Sequence, residues 1–320
     1  MFKLDKIDKQ LLIALDTNAT LPISKLAKNL KVSREVISYR IKQLELKKII
    51  LNYITLANFT KTGHTHYKLY IKYTNIPKEK KETLLNELAK HPKLGWLAST
   101  EGIFDLMFSI RFKDKYDFEE FKDKLFMKYN KYFSDVKFAM ATEGETKPRY
   151  YILDKMPKKI HTFFHVNKSK EEKMDENDIQ ILNTISLNAR EPYANLARIT
   201  NLTPRIIRYR RNDLTKRKII TGSKLVINYR KLGYLFFKCF ITFKNSNEKR
   251  YNTFKSYIRN HPNMIYWIKT IGSWDLELEI EIPSIEKFYE VVDELKETFP
   301  DIIGSFDASL VSKEHAIMHV

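Results

Sequence analysis

Two stretches of this 320-residue sequence place hydroxyl and cationic side chains at the spacing of a single helix face. In the first, Ser33 precedes Arg34, Ser38, Tyr39, Arg40 and Lys42, while Ile37, Ile41 and Leu44 form an apolar stripe. In the second, Thr203 precedes Pro204, Arg205, Arg208, Tyr209, Arg210 and Arg211. Serine or threonine suits a helix N-cap, and proline suits the first helical position. Outward arginine, lysine and hydroxyl groups can donate to phosphate oxygens, and arginine also matches the O6/N7 edge of guanine. The same composition describes an ordinary solvated helix face, so the surrounding motif has to decide.

Other constellations are sparser. Gly102 with Asp105, and Gly272 with Asp275, sit where a tight strand connection or a small-ligand contact would need glycine freedom and a carboxylate. His64 with His66, His161 with His165, and His315 with His319 have the spacing of metal pairs. No carboxylate or cysteine set completes a site beside them, so neither a metal nor a cofactor is expected. No Gly-rich phosphate loop or nucleophile–base arrangement is legible, and no enzymatic activity is expected. The one cysteine, Cys239, excludes an intrachain disulfide and fits a reducing cytoplasm. The longest apolar candidate, YLFFKCFITF, is short and interrupted by Lys238, which excludes a spanning helix.

These residues recur because the chain repeats itself. A shift of 170 lays LDKIDKQLL (4–12) on MDENDIQIL (174–182) and SREVISYRIKQL (33–44) on TPRIIRYRRNDL (203–214). The same shift lays KHPKLGW (90–96) on NHPNMIY (260–266) and EGIFDL (101–106) on IGSWDL (271–276). A period of that size is a whole two-part protein rather than a solenoid unit. One chain therefore carries two copies of a protein that would otherwise work as a dimer. The net charge is +18, with +6 in residues 1–60, +6 in 174–230 and −2 in 231–320. A surplus concentrated where each copy begins points to a polyanionic partner.

Periodicity assigns the elements. Residues 5–15 and 24–30 read as helices, Lys31 and Val32 as a turn, and Ser33 as the cap of a third helix running to about Lys47. That arrangement is a helix-turn-helix, and the alternation at 49–56 adds a small strand or wing. Next come strand, helix, two strands, helix and strand over 66–141, repeated over 234–311, which is the ferredoxin-like order β-α-β-β-α-β. The expected fold class is α+β, a tandem duplication of a winged helix-turn-helix domain followed by a ferredoxin-like sensing domain. The divisions are 1–60, 61–141, a Lys-rich tethering linker with one possible added strand at 142–173, then 174–230 and 231–320. In DLELEIEI, Glu277, Glu279 and Glu281 alternate with Leu276, Leu278, Ile280 and Ile282, and a solvated sheet face is expected for the carboxylates.

The first 50 residues resemble the winged helix-turn-helix of the Lrp/AsnC transcriptional regulators. The Leu-Asp-x-x-Asp opening, Leu26-Ala27, the Ser33…Ile37…Arg40-Ile41…Leu44-Glu45 helix and Ile49-Ile50 carry the likeness. The following segment resembles that family's sensing domain, with Gly-x-x-Asp turns at Gly102–Asp105 and Gly272–Asp275. The resemblance implies double-stranded DNA as partner and self-association through the sensing domains. It also implies a small effector such as an amino acid near Gly102, Asp105, Gly272 and Asp275. Two departures stand out. Lys48 and Lys218 occupy positions where the family usually has glycine, and Ile41 of the apolar stripe becomes Arg211 in the second copy. Glu35 and Ser38 become Arg205 and Arg208, so unlike half-sites are expected in the DNA, the second richer in guanine contacts. The alternatives are phosphate contact alone in a low-specificity architectural protein, or an enzyme like the siroheme decarboxylases, which share the Lrp-like architecture.

Overall fold

In a computed structural model, which describes residues 3–245 and 247–317, each copy opens with three helices. These are α1 (Lys6–Thr17), α2 (Ile23–Leu30) and α3 (Arg34–Leu46) in the first copy, and α6 (Glu176–Leu187), α7 (Tyr193–Thr200) and α8 (Pro204–Lys216) in the second. The Leu-Asp-x-x-Asp opening has a local cause. Asp5 accepts from the Asp8 amide and Asp175 from the Asp178 amide, capping α1 and α6. Lys31 and Asn201 take left-handed conformations (φ 55° and 54°) at the turns into α3 and α8. Lys48 and Lys218 do the same after those helices (φ 55° and 58°), so lysine does stand where glycine would be easiest.

The strand that follows each helix-turn-helix does not fold back as a private wing. β1 (Ile50–Ala57) pairs antiparallel with β7 (Ile220–Ile227), so one two-stranded ribbon joins the copies. α1 packs on β7 and α6 on β1. Cross-copy hydrogen bonds fix the arrangement: the Ala189 amide to Tyr53 O (2.7 Å), Arg190 Nε to Ala19 O (2.6 Å) and the Asn228 amide to Ile49 O (2.9 Å). The spacing of α3 and α8 is therefore set by backbone pairing within the chain.

The ferredoxin-like parts contribute β2 (Thr65–Tyr73), α4 (Lys78–Ala89), β3 (Leu94–Gly102), β4 (Leu106–Phe112), α5 (Lys115–Tyr129) and β5 (Phe133–Thr146). Their second-copy counterparts are β8 (Leu235–Phe243), α9 (Glu248–Asn260), β9 (Met264–Gly272), β10 (Leu276–Ile282), α10 (Ile285–Thr298) and β11 (Ile303–Ile317). The last strand of each copy is long. The first half of β5 pairs with β2 and its second half with β9; β11 pairs with β8 and then β3. The order β2-β4-β3-β11-β8-β10-β9-β5 thus closes on itself through β2–β5. Closure removes the unpaired edges that a four-stranded sheet would expose. The helices cover the outside, over cores centred on Leu69, Phe108 and Leu84 in one copy and Ile241, Phe254 and Leu278 in the other.

The segment 142–173 is built into this body rather than slung between its halves. β6 (Phe163–Val166), the added strand, pairs with β5. Tyr150 and Ile152 are buried in the core of the first helix-turn-helix. Lys147 donates to the carbonyls of Ile258, Arg259 and His261 at the end of α9.

Positive φ at a residue with a Cβ costs about 1 kcal/mol. Lys48→Gly and Lys218→Gly are each expected to raise unfolding free energy by roughly 0.5–1 kcal/mol, read as a higher urea midpoint. A lower midpoint would show that the lysine side chains contribute more than the conformation costs.

Candidate nucleic-acid interface and the charged interior

The two third helices present the faces that the sequence implied. Ser33 Oγ accepts from the Val36 amide and Thr203 Oγ1 from the Ile206 amide, both at 3.3 Å, so these hydroxyls start α3 and α8. Arg34, Ser38, Tyr39 and Lys42 lie exposed on α3, and Arg205, Arg208 and Tyr209 on α8. Tyr39 and Tyr209 are 65% and 73% exposed, unusual for tyrosine.

Not every basic residue of the motif faces outward. Arg40 reaches back to Asp5 and Asp8, and Arg210 to Asp175 and Asp178, all at 2.7 Å. These arginines tie the third helix of each copy to the first, so their guanidinium groups are already engaged. Arg211, at the position of Ile41, is half-buried. It donates to Ala189 O (3.0 Å) and lies beside Tyr193, whose ring Arg208 also approaches at 5.5 Å. The aliphatic stem fills the core position while the head finds a carbonyl and an aromatic face.

The Gly-x-x-Asp residues serve the turns. Asp105 accepts from the Tyr73 amide (2.7 Å) and from Lys72 Nζ (2.9 Å), and Asp275 from the Phe243 amide (2.7 Å). Gly102 (φ 127°) and Gly272 (φ 140°) let neighbouring strands pass closely. A Cβ on Gly272 would lie 2.3 Å from Phe138 O. A Cβ at either glycine would crowd a strand of the other copy, and both carboxylates accept from backbone amides.

The carboxylate row of β10 is where the sequence reading needs correction. Glu277 is 0% and Glu281 1% exposed. Both point into the closed ring, because the face opposite Leu276 and Leu278 meets the other copy's sheet instead of water. Glu277 is held by Lys68, by the Tyr70 hydroxyl and by Lys238 (2.9 Å), and Lys238 also reaches Glu279 (2.7 Å). Glu281 takes Arg149 in a two-pronged pair (2.9 and 3.0 Å) and the Tyr151 hydroxyl. Burial alone would raise the Glu277 carboxyl, but Lys238 and Lys68 overcome it and hold it at about 2. The sequence carries one hint of this interior: Lys68 and Lys238 occupy the same repeat position, the second in an otherwise largely apolar strand.

Between the β1·β7 ribbon and the ring lies a cavity of about 140 Å³. His66, Lys68, Ser109, His165, Lys224, Lys238, Glu279, Glu281 and Glu314 line its polar wall. Burial lowers His66 well below its ordinary value and His165 to about 3. Glu314 is raised by burial, although Trp96 Nε1 donates to it at 2.8 Å. Among the described residues no three His, Cys, Asp or Glu side chains form a metal cluster. His319 of the last histidine pair lies outside those residues.

An AsnC-type helix-turn-helix model matches residues 4–45, and a winged helix-turn-helix DNA-binding model matches 174–221. The regulatory protein AsnC of Haemophilus influenzae is 27% identical over 132 residues, covering 39% of this chain and 87% of that protein. The crystal structure of the siroheme decarboxylase NirDL aligns over 99% of this chain and 94% of its own, with TM-score 0.65 and 11% identity. Its co-complex with an iron-uroporphyrin III analogue gives TM-score 0.63 over the same shares and at the same identity. At that identity the likeness is one of fold. No helix of the described residues is long and apolar enough to cross a membrane.

Buried histidines give the protein a pH signature. Burial lowers His64 and His261 to about 4 and His165 to about 3, with His66 also far down. Unfolded, all four bind protons below about pH 6.5. Stability is therefore full above that pH and falls as pH drops towards 4, with net uptake of roughly two to four protons on unfolding. Urea midpoints measured between pH 7 and 4.5 check this; a flat profile would contradict the burial of these rings.

Proposed function

We propose that this chain, a tandem protein of the Lrp/AsnC type, is a DNA-binding transcription regulator that acts as an intrachain pseudo-dimer. One observation carries the reading. Two helix-turn-helix units, locked together through the β1·β7 ribbon, expose basic faces that differ from each other. Arg34, Ser38, Tyr39 and Lys42 form one reader, and Arg205, Arg208 and Tyr209 the other. Ser33 and Thr203 cap the helices through their hydroxyl oxygens. Arg40 and Arg210 orient the readers through their aspartates, and Arg211 supports α8 beneath Arg208.

A homodimer offers two identical readers and favours a palindrome. Here Arg205 and Arg208 stand where the first copy has Glu35 and Ser38, so the second half-site gains guanine contacts. The ring already consumes both sheet edges inside one chain, so further self-association would use the helical outer faces. Affinity comes mainly from phosphate neutralisation and falls steeply with salt.

A second reading, an enzyme acting on a tetrapyrrole, is favoured by the backbone likeness to a siroheme decarboxylase across nearly the whole chain. Against it, the cavity of about 140 Å³ is well below the roughly 300–1,000 Å³ that holds a drug-sized ligand. Two exposed basic recognition helices would also have no task. Tetrapyrrole absorbance in the purified protein would favour this reading.

Selection from random duplex DNA with the intact chain is expected to return an asymmetric motif with two unlike halves. Arg205→Ala should cost about 1–3 kcal/mol and relax specificity in one half only, while Lys42→Ala should lower the salt slope by about 1. A clean palindrome would sink the diverged-reader account, and tight low-salt binding without enrichment would favour an architectural protein.

A further inference from the structure

The cavity under the ribbon is built from unlike walls. Ile54, Leu56, Val226 and Ile227 of the ribbon supply an apolar roof, and the ring supplies a polar floor. One ribbon residue and one ring residue bring polar groups to the cavity that no carboxylate contacts directly. Lys224 Nζ, buried on the ribbon, donates to Lys147 O (2.7 Å) and Thr146 Oγ1 (3.1 Å), both neutral acceptors. Lys224 forms no ion pair among the described residues; Asp16, Glu281 and Glu279 act on it only from beyond contact distance. His66 is buried and lines the cavity, and neither of its ring nitrogens has a hydrogen-bond partner. Nearby Arg111 is buried, donates to Leu94 O (3.1 Å) and lies 4.9 Å from the Phe59 ring, again with no carboxylate.

The carboxylates on the same wall are already occupied. Glu279 is taken by Lys238, Glu281 by Arg149 and Tyr151, and Glu314 by Trp96. Gly95 keeps the floor open: a Cβ there would lie 2.8 Å from Ser109 Oγ and 3.2 Å from His66 Nε2. A single water needs about 10–15 Å³, so a cavity of about 140 Å³ seats several linked heavy atoms. A buried lysine bonded only to neutral acceptors, and a buried imidazole with neither nitrogen bonded, are costly unless something supplies the missing partner.

We propose that this cavity binds a small organic carboxylate with an apolar body, its charge received by Lys224 and His66 and its body by Ile54, Leu56, Val226 and Ile227 of the ribbon. The site straddles both copies and touches the ribbon from which both helix-turn-helix units hang. Resting on the regulator reading, occupancy then biases the spacing of α3 and α8, since a ligand shifts an equilibrium by its differential affinity for the two states.

The test uses the full chain and two probes of equal length, sodium hexanoate and uncharged 1-hexanol, in titration calorimetry. Hexanoate is expected to saturate at one site per chain and to bind at least about tenfold more tightly than hexanol. Lys224→Gln should abolish that preference, and Gly95→Ala, which crowds His66 without touching a charge, should weaken binding independently. Thermal unfolding of each variant verifies folding. Equal binding of the two probes, no saturable heat at millimolar hexanoate, or unchanged hexanoate affinity in both folded variants would overturn the site. DNA affinity is measured separately with and without hexanoate. Binding of hexanoate by a protein that binds no DNA would leave the site standing and remove only the regulator reading.

Discussion

A carboxylate with no solvent exposure sets the terms for the rest of this molecule. Glu277 sits inside a closed ring of strands between Lys68 of one copy and Lys238 of its own. Removing one partner of such a buried set commonly costs about 3–5 kcal/mol, because the remaining charge has no water to turn to. The two sheets therefore have to meet face to face in one register. The charge is also complementary between copies. Where the first copy carries Met107, Ser109 and Arg111 on the inward face of β4, the second carries Glu277, Glu279 and Glu281. Two first copies would lack the carboxylates, and two second copies would crowd them. The interior specifies an unlike pair, which one chain supplies by construction.

Fusion removes a constraint that symmetry would otherwise impose. With both halves in one chain each third helix can differ alone, and the outward faces differ at Glu35/Arg205 and Ser38/Arg208, as the inward position Ile41/Arg211 does too. What has not diverged is the bracing. Arg40 and Arg210 make the same ties to the paired aspartates of the opening motif, and Lys48 and Lys218 adopt the same left-handed turn. These bracing residues play the same role in both copies while the outward faces differ, as expected where backbone geometry is demanded by both copies and surface chemistry by only one.

Much of this was legible in the residues. Helix-turn-helix boundaries followed from caps and apolar stripes, and the ferredoxin-like order from the change of period that opens 66–141 and 234–311. The exposed faces of α3 and α8 followed from the same stripes. The interior was not legible, because alternation reports two faces but not what lies beyond each. Glu277 reads identically whether its face meets water or a second sheet. Ring closure depends on the last strand of each copy pairing twice, first within its own sheet and then across to the other, and no local pattern announces the second partner. Arg40 and Arg210 illustrate the same limit: sequence places them on the recognition helix, and only the fold reveals that their heads turn back to Asp5 and Asp175. His66 and Lys224 come from strands 158 residues apart in sequence, and only the ribbon and ring bring them to one cavity.

If one chain is the complete DNA-reading unit, its stoichiometry on DNA is one to one. Native mass spectrometry of the protein bound to its selected duplex should show one chain per duplex. Strand-cleavage footprinting on the same complex should show protection over two unlike half-sites. Two chains on one duplex, each contributing a single reader to a symmetric site, would contradict the account.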